Sequence, residues 1–322
     1  MSRLSLLAGM AAAVAGGAAL AQGSYPVKPI RMVVAYAPGG ATDIVARNLV
    51  PRMIERLGQQ ILVDNRPGGA TLVGTDIVAR ASPDGYTLLM ANIAFGANPS
   101  LFRKIPYDSA KAFAPVSLIV TVPTVLVVHP SLQVKSLAEF VAAAKAKPGA
   151  LNYASAGNGS ANHLTMEVFK AMAGVNIVHV PYKGGAPAIA DTVGGQVSTM
   201  FASALVAIPH VRSGRLTALG VSGAQRNPTL AELPTIAESG LPGFDVNEWQ
   251  MIIAPAGTPP AVIDRLQREA AQALAAADVR DRMAALGASP VGSTAKDAGV
   301  FLRAEFARWE KVAREGGIKP VD

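Results

Sequence analysis

Residues 30–58 read IRMVVAYAPGGATDIVARNLVPRMIERLG, and this stretch decides the fold. Ile30 to Ala35 is an apolar, β-branched run that reads as a buried strand. Asp43 to Leu57 repeats apolar residues at helical spacing and stops at Gly58, as a helix end often does. Between the two lies YAPGGATD. Gly39 and Gly40 allow a tight turn and leave space beside the backbone, and the first amides of the next helix point outward with the positive end of its dipole. Asp43 has the chemistry to cap that helix, and Thr42 adds a hydroxyl. A strand, a glycine turn and a helix form the unit of an α/β sheet, whose ligands sit beyond the carboxyl ends of the strands.

The unit recurs along the chain. Ile61–Asp64 reads as a second strand, Thr75–Ala81 as a short helix, and Tyr86–Ala91 as a third strand after the turn PDG. PVSLIVTVPTVLVVHP, residues 115–130, is a long β-rich run broken by Pro123 and suits a crossing between lobes. The rhythm then restarts with helix Leu137–Ala146, strand Leu151–Ser155, helix Leu164–Met172, strand Ile177–Val180, helix Pro187–Val193, strand Val197–Phe201, helix Ala207–Ser213 and strand Leu216–Val221. A Pro-rich passage, LPTIAESGLPGFD followed by WQMIIAPAGTPP, supplies a second crossing, and Ala261–Leu286 and Ala298–Glu315 read as helices. The expected fold is α/β with a mostly parallel sheet in each of two lobes. The expected boundaries are 22–122 plus 233–322 for lobe 1 and 123–232 for lobe 2.

Composition narrows the function classes. At 322 residues, half apolar and 16% charged, the chain is longer than one ordinary domain and can bury a large core. It has no cysteine, which excludes thiolate metal sites and cysteine nucleophiles. The net charge of +7 favours anionic partners, but the basic residues are dispersed, and nucleic acid is not expected. Residues 1–21 combine Arg3, an apolar run and Ala19-Leu20-Ala21, the pattern of a cleavable secretory signal. Export from the cytoplasm is therefore expected. No later segment offers about 18 consecutive apolar residues.

The candidate binding residues follow strands. They are Tyr36, Gly39, Gly40, Ala41, Thr42 and Asp43 after the first strand, and Asn92 after the third. SAGNGSANH, residues 155–163, contributes Ser155, Asn158, Gly159, Ser160, Asn162 and His163. Tyr182, Asp191 and Ser203 complete the set. Gly157 and Gly159 open like a dinucleotide fingerprint, but Asn162 stands at the third glycine position and no acid follows about 20 residues on. A helix start offering hydroxyl, amide and backbone donors suits a carboxylate, so the two glycine loops are expected to clasp one small organic anion. PGGATLVGTDIVAR, residues 67–80, repeats the letters of PGGATDIVAR at 38–47, but Leu72-Val73-Gly74 interrupts it, and it is expected to be a structural turn.

Enzyme signatures are weak. Gly220-Val221-Ser222-Gly223-Ala224 lacks the last glycine of a nucleophile elbow, and the four histidines are scattered without a metal-binding motif. No metal and no cofactor are expected. Trp249 is expected in the core. A secreted α/β hydrolase remains an alternative, requiring His163 or His210 to meet a serine. A periplasmic sensory partner that binds the same acid is a second alternative.

YPVKPIRMVVAYAPGGATDIVAR, GQQILVDNRPGG, SPDGYTLLMA, NPSLF, IPYD, FAPV, LNYASAGNGSANHL, HVPYKGGAPAIADTVGGQV and APAGTPP occur in this order. The series resembles the Bug-type solute receptors of tripartite tricarboxylate transporters across the whole mature chain. The resemblance implies a two-lobed periplasmic binding protein of the Venus-flytrap kind, type II-like. It implies a monomer that hands a mono- or dicarboxylate to a membrane permease. It also implies that Gly39–Asp43 and Ser155–His163 hold the carboxylate, partly through water.

Overall fold

The computed structural model describes residues 25–315, so the expected signal segment lies outside the described residues. In chain order the elements are β1 (Ile30–Val34), α1 (Ala41–Leu57), β2 (Ile61–Asn65), α2 (Leu72–Ala79), β3 (Thr87–Asn92), α3 (Ile93–Leu101) and β4 (Phe113–Val128). There follow α4 (Leu137–Ala146), β5 (Asn152–Ser155), α5 (Ala161–Ala173), β6 (Val178–Pro181), α6 (Gly185–Val193), β7 (Thr199–Ser203), α7 (Ala204–Arg212) and β8 (Thr217–Val221). The chain ends with β9 (Asn247–Pro255), α8 (Pro260–Ala275), α9 (Ala277–Ala285), β10 (Ser289–Pro290) and α10 (Ala295–Glu315).

The α/β expectation holds. One curled sheet runs β2-β1-β3-β9-β4-β7-β5-β6, with β8 and β10 also paired to β4. The outer strands pair in parallel, β2 with β1 and β1 with β3 on one side, β5 with β6 and with β7 on the other. The centre is antiparallel, contrary to a simple repeat of the unit: β9 lies antiparallel to both β3 and β4, and β4 to β7. The reason is that β4 and β9 carry the chain across the molecule in opposite directions.

Pro123 does not break the run. β4 passes through it as one 16-residue strand. Up to Pro123 the strand pairs with β9, and from Thr124 it pairs with β7 and β8. A residue without an N–H is tolerated where a strand changes partners. Residues 234–246 hydrogen-bond to β8, through Val221 N–H to Pro234 O at 3.0 Å and Val246 N–H to Ser222 O at 3.0 Å. The next strand, β9, begins at Asn247. The C-terminal helices pack on the first half, where Arg56 on α1 pairs with Glu269 on α8 at 2.9 Å.

Three helices differ from expectation. Ile93–Leu101, for which the sequence pattern gives no helix, forms α3. Its Gly96 and Pro99 are poor helix formers, but the Asn92 side chain caps it by accepting from Ala94 N–H at 3.2 Å. A Cβ at Gly96 would also lie 3.4 Å from the Trp249 ring, so the small residue lets α3 press on the core. Ala261–Leu286 divides into α8 and α9 where Ala276 turns extended. α2 starts at Leu72 rather than Thr75, because Ala70 and Thr71 adopt positive φ and the apolar insert forms the first helical turn. Gly74 in that insert packs on β1, where a Cβ would lie 2.8 Å from Ala35 Cβ.

Candidate functional site

The strand-to-helix turns of both halves open on one small cavity. From the first half come Tyr36, Gly40, Ala41 and Thr42 after β1, and Asn92 after β3. From the second come Ala156, Ser160, Ala161 and Asn162 after β5, Gly185 after β6, and Met200, Ser203 and Val206 around β7. Glu248 of β9 completes the lining.

The helix starts supply the donors. α1 begins at N-cap Gly40, α6 at Gly184 and α7 at Ser203, and none of these three makes a side-chain cap hydrogen bond. The four leading N–H groups of a helix have no partner within it, so uncapped starts facing a cavity are donors awaiting an acceptor. α5 is capped, Ser160 Oγ accepting from His163 N–H at 3.4 Å. No lysine or arginine lines the cavity. An anion held here is held by peptide groups and small hydroxyls.

Asp43 serves the first loop from behind. It stands in the first turn of α1, where it accepts the Gly39 N–H at 2.9 Å, the Asn65 amide at 2.9 Å and the Arg47 guanidinium at 2.9 Å. Burial opposes its ionisation, but the bonds from Arg47, Gly39 and Asn65 outweigh that and hold the carboxyl below its usual value. Asn65 also donates to the Tyr36 carbonyl at 3.0 Å. The DNR stretch before the second glycine copy therefore braces the first. The second copy has its own duty, because Asn98 on α3 donates to Ala70 O at 3.0 Å and to Thr71 Oγ1 at 3.1 Å.

The second loop is braced by rings. Ser155 Oγ lies 2.6 Å from His179 Nε2, and His179 stacks on Tyr153 at 4.7 Å and meets His163 at 4.5 Å between centroids. Tyr153 donates to Glu167 at 2.6 Å, and Lys170 donates to the same carboxylate at 2.7 Å. Burial, then the neighbouring His163, push the His179 pKa down to about 4, and burial lowers His163 as well. The Ser155–His179 contact resembles part of a nucleophile pair, but Ser155 is fully buried behind the loop and is absent from the cavity lining. Among the described residues no three His, Asp or Glu side chains gather as a metal site.

Of the residues expected from sequence, Tyr36, Gly40, Ala41, Thr42, Asn92, Ser160, Asn162 and Ser203 line the cavity. Gly39, Asp43, Ser155, Gly159 and His163 lie behind it, shaping the loops, and Asn158 points to solvent. Tyr182 donates to Asp191 at 2.7 Å, and this pair also lies outside the lining. Sequence reasoning missed the apolar lining residues Ala156, Ala161, Met200 and Val206 and two others, Gly185 and Glu248. The first follows a strand in YKGGAP, the same glycine-pair signal as PGGATD. The second is a lone acid in an otherwise buried strand, NEWQMIIAP, and its chemistry was the signal. Trp249 next to it lies in the core, its indole N–H donating to Glu305 at 2.7 Å.

The halves touch across the cavity mouth. A Cβ at Gly40 would lie 3.5 Å from the Gly185 nitrogen, one at Gly184 3.1 Å from Ala37 Cβ, and one at Gly159 2.9 Å from Asn98 Oδ1. The halves meet along two glycine seams; a side chain at Gly184 or Gly159 would press on its neighbour, whereas one at Gly40 would lie at ordinary contact distance.

Comparison with known proteins agrees with this architecture. Residues 45–318 match the tripartite tricarboxylate transporter family receptor. Protein BugT of Bordetella pertussis is 38% identical over 322 residues, covering 99% of each chain. Among solved structures, R. palustris Rpa4515 with adipate superposes with a TM-score of 0.89 at 36% identity, covering 92% of this chain and 100% of that one. MatC from Rhodopseudomonas palustris with bound malate gives 0.86 at 34%, covering 89% and 99%. With the model match spanning most of its length and a relative alignable from end to end, this chain belongs to the tripartite tricarboxylate transporter receptor family.

Proposed function

We propose that the protein is a periplasmic receptor that captures one small organic carboxylate between its halves and delivers it to a tripartite-type membrane permease. One observation carries the reading: uncapped helix starts from both halves, at Gly40, Gly184 and Ser203, meet around one cavity that no cationic side chain lines. A carboxylate there accepts from fixed donors, each worth roughly 1.5 to 3 kcal/mol net when the acceptor is charged. Because donors come from both halves, the ligand favours the closed state over the open one, and closure is a population shift. The two bodies are residues 22–122 with the C-terminal region, and the segment from 123 to the return crossing; they turn about Pro123–Thr124 and Val246–Asn247. Adipate and malate in the related structures are of the expected chemical class. The protein acts as a monomer without catalysis, and its first 21 residues direct export.

A thermal-shift screen of the mature chain against organic acids, neutral sugars and inorganic cations tests this. A ligand at about 100 times its Kd adds roughly 2.7 kcal/mol, so a true ligand raises Tm by several degrees. A rise with sugars or cations and none with any acid refutes the reading.

A further inference from the structure

The cavity floor is chemically unlike its walls. Glu248 is 4% exposed and faces the cavity. Gln250, two residues along the same face of β9, donates to Glu248 Oε1 at 2.7 Å and leaves its own carbonyl Oε1 buried without a partner. Ser203 Oγ, which also lines the cavity at 2% exposure, approaches the carboxyl outside good hydrogen-bond geometry and is otherwise unpartnered. The floor thus presents a carboxyl group and an unpartnered hydroxyl to one small space, with the Gln250 amide packed behind them. No basic side chain on the lining balances the carboxyl, unlike the donors of the helix-start wall. A carboxylate ligand has no hydrogen to offer there, whereas an ammonium carries three.

From this polarity we infer that the preferred ligand is a zwitterion, a small carboxylic acid bearing a protonated amine, with its carboxylate at the helix starts and its ammonium against Glu248. This rests on the carboxylate-receptor reading and refines it. A buried carboxylate without a counter-charge is costly, and the empty site avoids the cost by keeping a proton: burial lifts the Glu248 pKa to about 7, tempered by Ser203 and Gln250. An arriving ammonium supplies the missing positive charge, and the proton leaves. Tyr36 is the other ionisable side chain on the lining, and its hydroxyl is pushed above its ordinary value, chiefly by burial, so it stays neutral. Amine binding must therefore release a proton and strengthen from about pH 6 to about pH 8. A second carboxylate at the same place would need the protonated acid as donor, and its binding would weaken over that range.

The experiment is titration calorimetry of the mature chain with matched acids: butyrate, 2-aminobutyrate, 4-aminobutyrate and glutarate, in the wild type and in Glu248→Gln. At least one amino acid should bind about tenfold or more tighter than butyrate, with affinity rising with pH. Glu248→Gln should erase that advantage, bringing the amino acid to the affinity of butyrate measured in the same variant. Tighter binding of glutarate than of either amino acid, or an amine preference that survives Glu248→Gln, overturns the inference while the carboxylate receptor stands. Failure of every acid in a broad set to bind overturns both. Matching melting curves of the two ligand-free proteins establish that the variant folds.

Discussion

Gly159 shows how much a single missing Cβ decides. Its φ of +73° suits glycine, and a methyl group there would lie 2.9 Å from Asn98 Oδ1 across the cleft. Gly159→Ala should lower ligand affinity by about tenfold or more, because it strains the loop by roughly 1 kcal/mol and obstructs closure as well. Calorimetry on the variant checks this; unchanged affinity would show that the seam is unimportant. The duplicated PGGAT motif divides in the same way. Thr42→Pro deletes an amide in the first turn of α1 and should weaken binding by about tenfold or more, whereas Thr71→Ala removes one of two acceptors of Asn98 and should leave affinity nearly intact. At this scale sequence identified the loops but not which atoms face inward. Asp43, Gly39 and His163 have binding chemistry, yet their polar atoms are engaged by Gly39 N–H, Asp43 and Gly159 N–H respectively. Glu248 escaped because it sits within a strand, away from any loop signal.

Two elements invite tests of stability. Ser222 ties the crossings together: its Oγ accepts from Thr124 N–H at 2.8 Å and donates to the Val246 carbonyl at 2.6 Å. Ser222→Ala strands both groups in a fully buried place and should cost about 2 to 4 kcal/mol, measured by urea unfolding. The histidine stack under α5 sets an acid limit. His179 is held near 4 when folded and returns to its ordinary 6.5 when unfolded. Between these values the unfolded chain binds the extra proton, so stability should fall as pH drops from 6.5 toward about 4. Asp43 acts lower, its contribution being lost only as pH falls below its ordinary 3.8. Glu248, raised from 4.5 to about 7, acts with the opposite sign over part of this range, so the test is a comparison: relative to His179→Phe, the wild type should lose melting temperature as pH falls from 6.5 toward about 4. The same pH dependence in both proteins would assign no part of it to His179. The periodic elements were legible because apolar spacing and glycine stops are local. α3 was not, because Gly96 and Pro99 are poor helix formers and the helix packs beside Trp249, a residue far along the chain.

For the whole molecule, the order of elements foretold two α/β halves meeting at their strand ends. It did not foretell the antiparallel centre, since nothing local in β4 or β9 reports the direction of its neighbour. The glycine seams along which the halves meet imply a molecule that must open to load. Small-angle scattering should give a larger radius of gyration without ligand than with a saturating acid. Equal radii, together with binding by calorimetry, would mean that the halves do not move apart. Urea unfolding with and without that acid gives an independent measure, because a bound ligand raises the midpoint without changing the slope.

The absence of lysine and arginine from the cavity lining has a consequence for how such a receptor can diversify. On the proposed reading the anion is gripped chiefly by peptide N–H groups, which no substitution except proline removes. Everything else on the wall, from Ala156 and Ala161 to Met200, Val206 and Glu248, is side chain and can be exchanged. Grip and choice are thus encoded separately, and one backbone can acquire a new solute by changing a handful of residues while its hold on the carboxylate passes unaltered from one variant to the next.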